Sequence, residues 1–116
     1  MAKAITPKKL IVYKGKNNKE PFSKWLNNLK EPQVRRRILM RLRRLEQGNY
    51  GDCSSVGDSV LELRLFFGSG YRVYFAEDGE ELILLLCAGD KSTQDKDIKN
   101  AKLYWKDYKE NDRAKL

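Results

Sequence analysis

The sequence predicts an α+β fold with elements in the order β-α-α-β-β-β-α, and three observations carry that reading. Apolar residues recur at helical spacing over positions 22–29 and again over 34–45, which places two helices early in the chain. Between positions 60 and 86 the spacing tightens to alternation and then to a continuous apolar run, with Asp78-Gly79 at the centre of an acidic turn that reads as a hairpin. From about Thr93 the helical spacing returns.

Leu10-Ile11-Val12-Tyr13 reads as a short first strand, ended by the polar run Lys14-Gly15-Lys16-Asn17-Asn18. Pro21 suits an early helical position, where its missing N–H costs nothing. Phe22, Trp25, Leu26 and Leu29 then form one stripe, which marks a core-facing helix rather than an aromatic ligand site. After Glu31-Pro32 a second helix should run to about Gln47, with Val34, Ile38, Leu42 and Leu45 as its apolar stripe and Gly48-Asn49 as its stop. Its other face is cationic: Arg37, Arg41 and Arg44 fall together, and Arg35, Arg36 and Arg43 broaden the patch. Such a face is either a solvated surface or a track for nucleic-acid phosphates. Contacts of the second kind position a strand without specifying its sequence.

Positions 48–52, with Cys53 after them, read as a loop leading to strands at 60–66 and 71–76, which are joined through Gly68-Ser69-Gly70. A further strand at 82–86 should be buried throughout. Period two puts Glu62 and Arg64 on one face and Leu61, Leu63 and Leu65 on the other, while Arg72, Tyr74 and Ala76 lie opposite Tyr71, Val73 and Phe75. The polar face then presents Arg64 beside Arg72, and Glu62 either pairs with an arginine on a wet sheet face or serves the chemistry. Lys91 follows the last strand across Ala88-Gly89. Ser92 or Thr93 is the expected N-cap of the final helix, with Asp95 in its first turn. Ile98, Ala101, Leu103, Trp105 and Tyr108 fall on or near that helix's apolar side.

The 116 residues carry 24 Lys+Arg against 16 Asp+Glu, a net charge of +8 with no histidine, so a polyanion is the natural partner and nucleic acid the first candidate. Basic balance is also common among proteins that bind no nucleic acid, so motif geometry has to decide. The length fits a single domain, residues 1–116 with a core at about 10–108. No window approaches the roughly 20 apolar residues that cross a bilayer, and positions 1–7 lack an apolar signal core, so the expected location is cytoplasmic with no membrane contact. Cys53 and Cys87 fit neither a metal-ligand spacing nor a disulfide framework and read as free thiols. No cofactor motif and no metal site are expected.

Taken in order, Trp25-Leu26, Gly48-Asn49-Tyr50-Gly51-Asp52, Glu62-Leu63-Arg64, Gly70-Tyr71-Arg72-Val73-Tyr74-Phe75 and Gly89-Asp90-Lys91-Ser92-Thr93-Gln94 resemble the RelE/ParE toxin superfamily. The similarity is to its HigB-like or phage Gp49-like addiction-module branch, over roughly residues 10 to 108. The resemblance implies a small curved antiparallel sheet packed on two N-terminal helices, with the C-terminal helix near the active face. It also implies a toxin of a type II toxin-antitoxin module that cuts mRNA, usually in the ribosomal A site. The implied silencing partner is a small helix-turn-helix antitoxin, through which alone the complex would touch operator DNA. The same superfamily includes ParE-like proteins that inhibit DNA gyrase and catalyse nothing, which is the alternative reading.

RNA carries its own nucleophile, so cleavage requires only that the 2′-hydroxyl be aligned with the scissile phosphate and that the added charge be stabilised. Fixed cations suffice for much of this. The absence of histidine and of a carboxylate cluster argues against histidine-based acid/base cleavage and against a two-metal nuclease. By the resemblance, Arg72 holds the phosphate through its planar fork, Arg64 assists, and Lys91 stabilises the transition state or protonates the leaving oxygen. Gln94 is then an orienting residue, and Asp90 is a base or, preferably, a helix cap. The chain departs from the best-known RelE pattern, with Val60 and Glu62 where that pattern has lysines and Asp97 and Ile98 near the place of its C-terminal tyrosine. The general base is therefore left to Glu62, Asp90 or the ribosome.

Overall fold

The computed structural model describes residues 7–114; positions 1–6 of the segment read as lacking a signal core lie outside the described residues. The elements are β1 (Lys9–Val12), α1 (Pro21–Asn27), α2 (Pro32–Glu46), β2 (Cys53–Gly57), β3 (Val60–Arg64), β4 (Arg72–Asp78), β5 (Leu82–Gly89) and α3 (Gln94–Ala114). Short 3₁₀ turns at Lys16–Asn18 and Lys91–Thr93 lead into α1 and α3.

The strands form one five-stranded sheet in the order β1-β5-β4-β3-β2. Pairing is antiparallel from β2 through β5, as short connections require, and β1 joins β5 in parallel. The α+β class and the expected elements are present, with two differences in the sheet. The first strand makes the sheet mixed rather than wholly antiparallel. Cys53 lies in a strand rather than a loop, because Ser54 and Ser55 pair with Glu62 and Leu61 across a ladder that shifts register before Gly57. The segment Cys53-Ser54-Ser55-Val56-Gly57 has little β-propensity of its own, so its partner strand makes it a strand.

Both faces of the sheet are covered. Phe22 of α1 and Ile38, Leu42 and Leu45 of α2 pack on Leu63, Val73, Phe75, Ile83 and Leu85. On the opposite face Ala101 and Trp105 of α3 pack on Val60, Tyr74, Ala76, Leu84 and Leu86. Cover on two sides explains why β5 is buried from Ile83 to Gly89 and reads as an uninterrupted apolar run.

The same cover overturns the expectation of a wet sheet face around Glu62. That side lies under α3, and Glu62 is only 3% exposed. Leu103 also departs from its expected place and is 59% exposed, since two residues' offset from Ala101 and Trp105 turns it roughly 200° around the helix. Asp90 caps the 3₁₀ turn Lys91–Thr93 that leads into α3, the role preferred for it from the sequence. Its carboxylate accepts from the Ser92 backbone N–H at 2.9 Å, and it forms a capping box with Thr93 across the 3₁₀ turn.

Candidate functional site

The antiparallel register sets Arg64 directly opposite Arg72 on β3 and β4, as the alternation predicts. Like charges so placed repel, and the structure answers with a buried carboxylate between them. Glu62 Oε1 lies 3.7 Å from Arg64 Nε, and Glu62 Oε2 lies 3.7 Å from Arg72 Nε. Oε2 also accepts hydrogen bonds from the Tyr74 hydroxyl and from Gln94 Nε2, each at 2.9 Å. Burial, followed by the neighbouring Glu62, pushes the Tyr74 hydroxyl pKa well up, so it stays a donor.

Both arginines approach the carboxylate through Nε. Arg72 Nη1 donates to the Gly70 carbonyl at 3.1 Å, while its buried Nε has an ion-pair neighbour but no hydrogen bond. Asp52 adds a second carboxylate 3.8 Å from Arg64 Nε. The Arg64 side chain is 43% exposed and that of Arg72 is 14% exposed, so the pair presents one open and one sheltered guanidinium.

Lys91 reaches the same place from the end of β5. Its backbone N–H donates to the Ser69 carbonyl at 3.4 Å. A Cβ added at Gly70 would lie 3.5 Å from Lys91 Cβ and 3.7 Å from Arg72 Nη1, so the lysine and the arginine flank one glycine held at φ +76. Lys91 is exposed, and among the described residues its ammonium has no carboxylate partner. Asp90, beside it, is occupied: it accepts from the Ser92 hydroxyl and backbone N–H and, at 3.3 Å, from the Ser69 hydroxyl. The Ser92 hydroxyl, foremost, holds the Asp90 carboxyl below its usual pKa.

The helix arginines join the sheet arginines through a shared surface. One groove of about 400 Å³ is lined by Arg37, Arg41 and Arg44 together with Arg64, Phe66 and Phe67. A second, of about 330 Å³, is lined by the same Arg64, Phe66 and Phe67 together with Gly70, Tyr71 and Arg72. The three helix arginines are not equivalent. Arg41 is half-buried and donates to the carbonyls of Asn49 and Tyr50, and burial, then Arg44, lowers its pKa. The Arg37 guanidinium sits 4.1 Å from the centre of the Phe67 ring, and Arg44 is exposed.

The model described as "Phage derived protein Gp49-like (DUF891)" matches residues 24–109, from within α1 to late in α3, and so takes in every residue of this site. The chain belongs to that family. Gp49-like proteins are associated with RelE-like addiction-module killers, which points to a toxin-antitoxin module and an antitoxin partner. The chain is also 52% identical over 82 residues to an "Uncharacterized protein" of Haemophilus influenzae, covering 71% of this chain and 83% of the relative. Among the described residues no helix is long and apolar enough to cross a membrane.

Sequence reasoning reached Arg64, Arg72, Lys91, Gln94 and the arginines of α2, but it missed Tyr74 as a partner of Glu62 and missed Phe66 and Phe67 altogether. The aromatic pair was visible as Phe66-Phe67 between an arginine and a turn glycine, yet no periodicity says which ring is buried.

Proposed function

We propose that this Gp49-like chain, acting as a single cytoplasmic domain, is the toxin of a type II toxin-antitoxin module and cleaves mRNA in the ribosomal A site without a metal. One observation carries the reading: a buried carboxylate holds Arg64 and Arg72 side by side, with Lys91 flanking the same loop glycine, where a groove lined by arginines ends.

The guanidinium forks of Arg72 and Arg64 bind the scissile phosphate and offset the charge that grows on it. The 2′-oxygen attacks phosphorus, the 5′-oxygen leaves and takes a proton from Lys91, and the products are a 2′,3′-cyclic phosphate and a 5′-hydroxyl. The proton of the 2′-hydroxyl passes to water or to a ribosomal group; Glu62 and Asp90 are already held as hydrogen-bond acceptors, Glu62 by Tyr74 and Gln94 and Asp90 by Ser69 and Ser92. Gln94 acts on Glu62 and through it on the arginines. A helix-turn-helix antitoxin silences the toxin and alone contacts operator DNA.

Induction in bacteria tests this directly. The chain should generate new transcript 5′ ends, Arg72→Ala and Lys91→Ala should each lower cleavage by about 100-fold or more, and plasmid supercoiling should not change. Arg72→Lys, which keeps the charge but loses the fork, should also cut poorly while folding normally by circular dichroism. Loss of supercoiling without new 5′ ends would assign the chain to gyrase inhibition instead.

A further inference from the structure

We propose that Phe66 is a stacking platform for an unpaired base of the RNA strand whose phosphates the arginines hold; the inference rests on the RNA reading above. Phe66 is 79% exposed, whereas the adjacent Phe67 packs against Tyr71, with ring centres 5.6 Å apart, and lies beneath Arg37. The loop that keeps Phe66 outside is firmly specified. Leu65 N–H donates to the Tyr71 carbonyl at 3.0 Å and Gly70 N–H to the Phe67 carbonyl at 3.3 Å. Gly68 has φ +60, and a Cβ there would meet the Tyr71 ring at 2.7 Å, so the turn admits no larger residue without moving that ring.

A single exposed phenylalanine is ordinary on a protein surface. What separates this one is its position: it lines both grooves, with Arg37 and Arg44 on the helix side and Arg72 on the sheet side. A single strand running along such a track puts phosphates against guanidinium groups and leaves its bases unstacked, and an aromatic face between the two cation sets accepts one of them. A duplex keeps its bases stacked on one another and has no face to offer. The platform therefore selects single-stranded RNA.

The probe is a fluorescein-labelled single-stranded RNA with 2′-O-methyl groups, which binds without being cut, compared by anisotropy with a duplex of the same length. Phe66→Ala should weaken binding of the single strand about tenfold or more, Phe66→Leu should be as weak as alanine, and Phe66→Trp should bind at least as well as wild type. Duplex affinity should be unchanged in all three, and so should the thermal midpoint, because the ring is exposed. If leucine restores the affinity, or if alanine weakens duplex and single strand alike, the stacking inference is overturned. If alanine binds like wild type while Arg64→Ala binds weakly, the platform fails and the RNA reading stands. A wild-type chain that binds neither RNA overturns the platform, and the RNA reading then falls only if induction also gives no new transcript 5′ ends.

Discussion

Glu62 is the residue on which the site's geometry turns. An ionised carboxylate with 3% exposure is costly unless other groups replace its water, and here two arginines, a tyrosine hydroxyl and a glutamine amide converge on it. The arrangement is reciprocal: without Glu62 the opposed guanidinium groups would repel, and Arg72 Nε, already short of a hydrogen bond, would be a buried charge with no counterion. Glu62→Ala should therefore cost about 3 kcal/mol in urea unfolding. Glu62→Gln retains a carbonyl for the Tyr74 hydroxyl and should cost clearly less. Equal losses in the two variants would mean that the negative charge, which both lack, and not the carbonyl acceptor or the shape of the side chain, is what the site needs. Because the carboxylate lies against Nε of each arginine, Glu62 acts as a positioning residue, and it leaves the terminal nitrogens of Arg64 and Nη2 of Arg72 for a phosphate, Arg72 Nη1 being held by the Gly70 carbonyl.

The elements differ in how plainly the sequence announces them. Asp90 joins β5 to α3, and Asp90→Ala should cost about 1 kcal/mol at neutral pH, the usual worth of a cap. Its folded-state pKa lies below the ordinary 3.8, so its contribution is complete above that value and is lost as pH falls through the depressed folded value. The stability gap between wild type and Asp90→Ala, followed by chemical unfolding, should be constant from pH 7 to about 5 and close at lower pH; a gap that widened on acidification would contradict the cap. The helices α1 and α2 were legible because their apolar stripes are complete, and the β3–β4–β5 meander because turn residues punctuate it. Strand β2 was not legible, since Cys53-Ser54-Ser55-Val56-Gly57 borrows its conformation from β3. The burial of Glu62 was hidden in β3, where alternation alone reads as a polar face. The fully apolar run of β5 held the missing information, because a strand covered on both sides requires that α3 lie over this face. Arg64 beside Arg72 was legible because period two and antiparallel register leave no freedom, whereas the fate of Phe66 depends on a loop that no period describes.

At the scale of the whole molecule, placement rather than net charge should govern RNA binding. The arginine grooves gather Arg37, Arg44, Arg64 and Arg72 around the edge of the layered core, while Lys99, Lys106 and Lys109 line a separate groove on α3 that shares no residue with them. If phosphates follow the arginine track, alanine at Arg37, Arg44 or Arg64 should each reduce the magnitude of the slope of log affinity against log salt by about 0.7 for single-stranded RNA. Lys99→Ala and Lys106→Ala remove the same formal charge and should leave the slope unchanged. Arg41→Ala should behave like the lysine variants in the slope, because its guanidinium already serves the Asn49 and Tyr50 carbonyls, and should register in thermal unfolding instead. Anisotropy titrations at several salt concentrations resolve these differences. A uniform drop across arginine and lysine variants alike would mean that the strand senses only the overall charge of +8, and the arginine grooves would then have no special part in holding RNA.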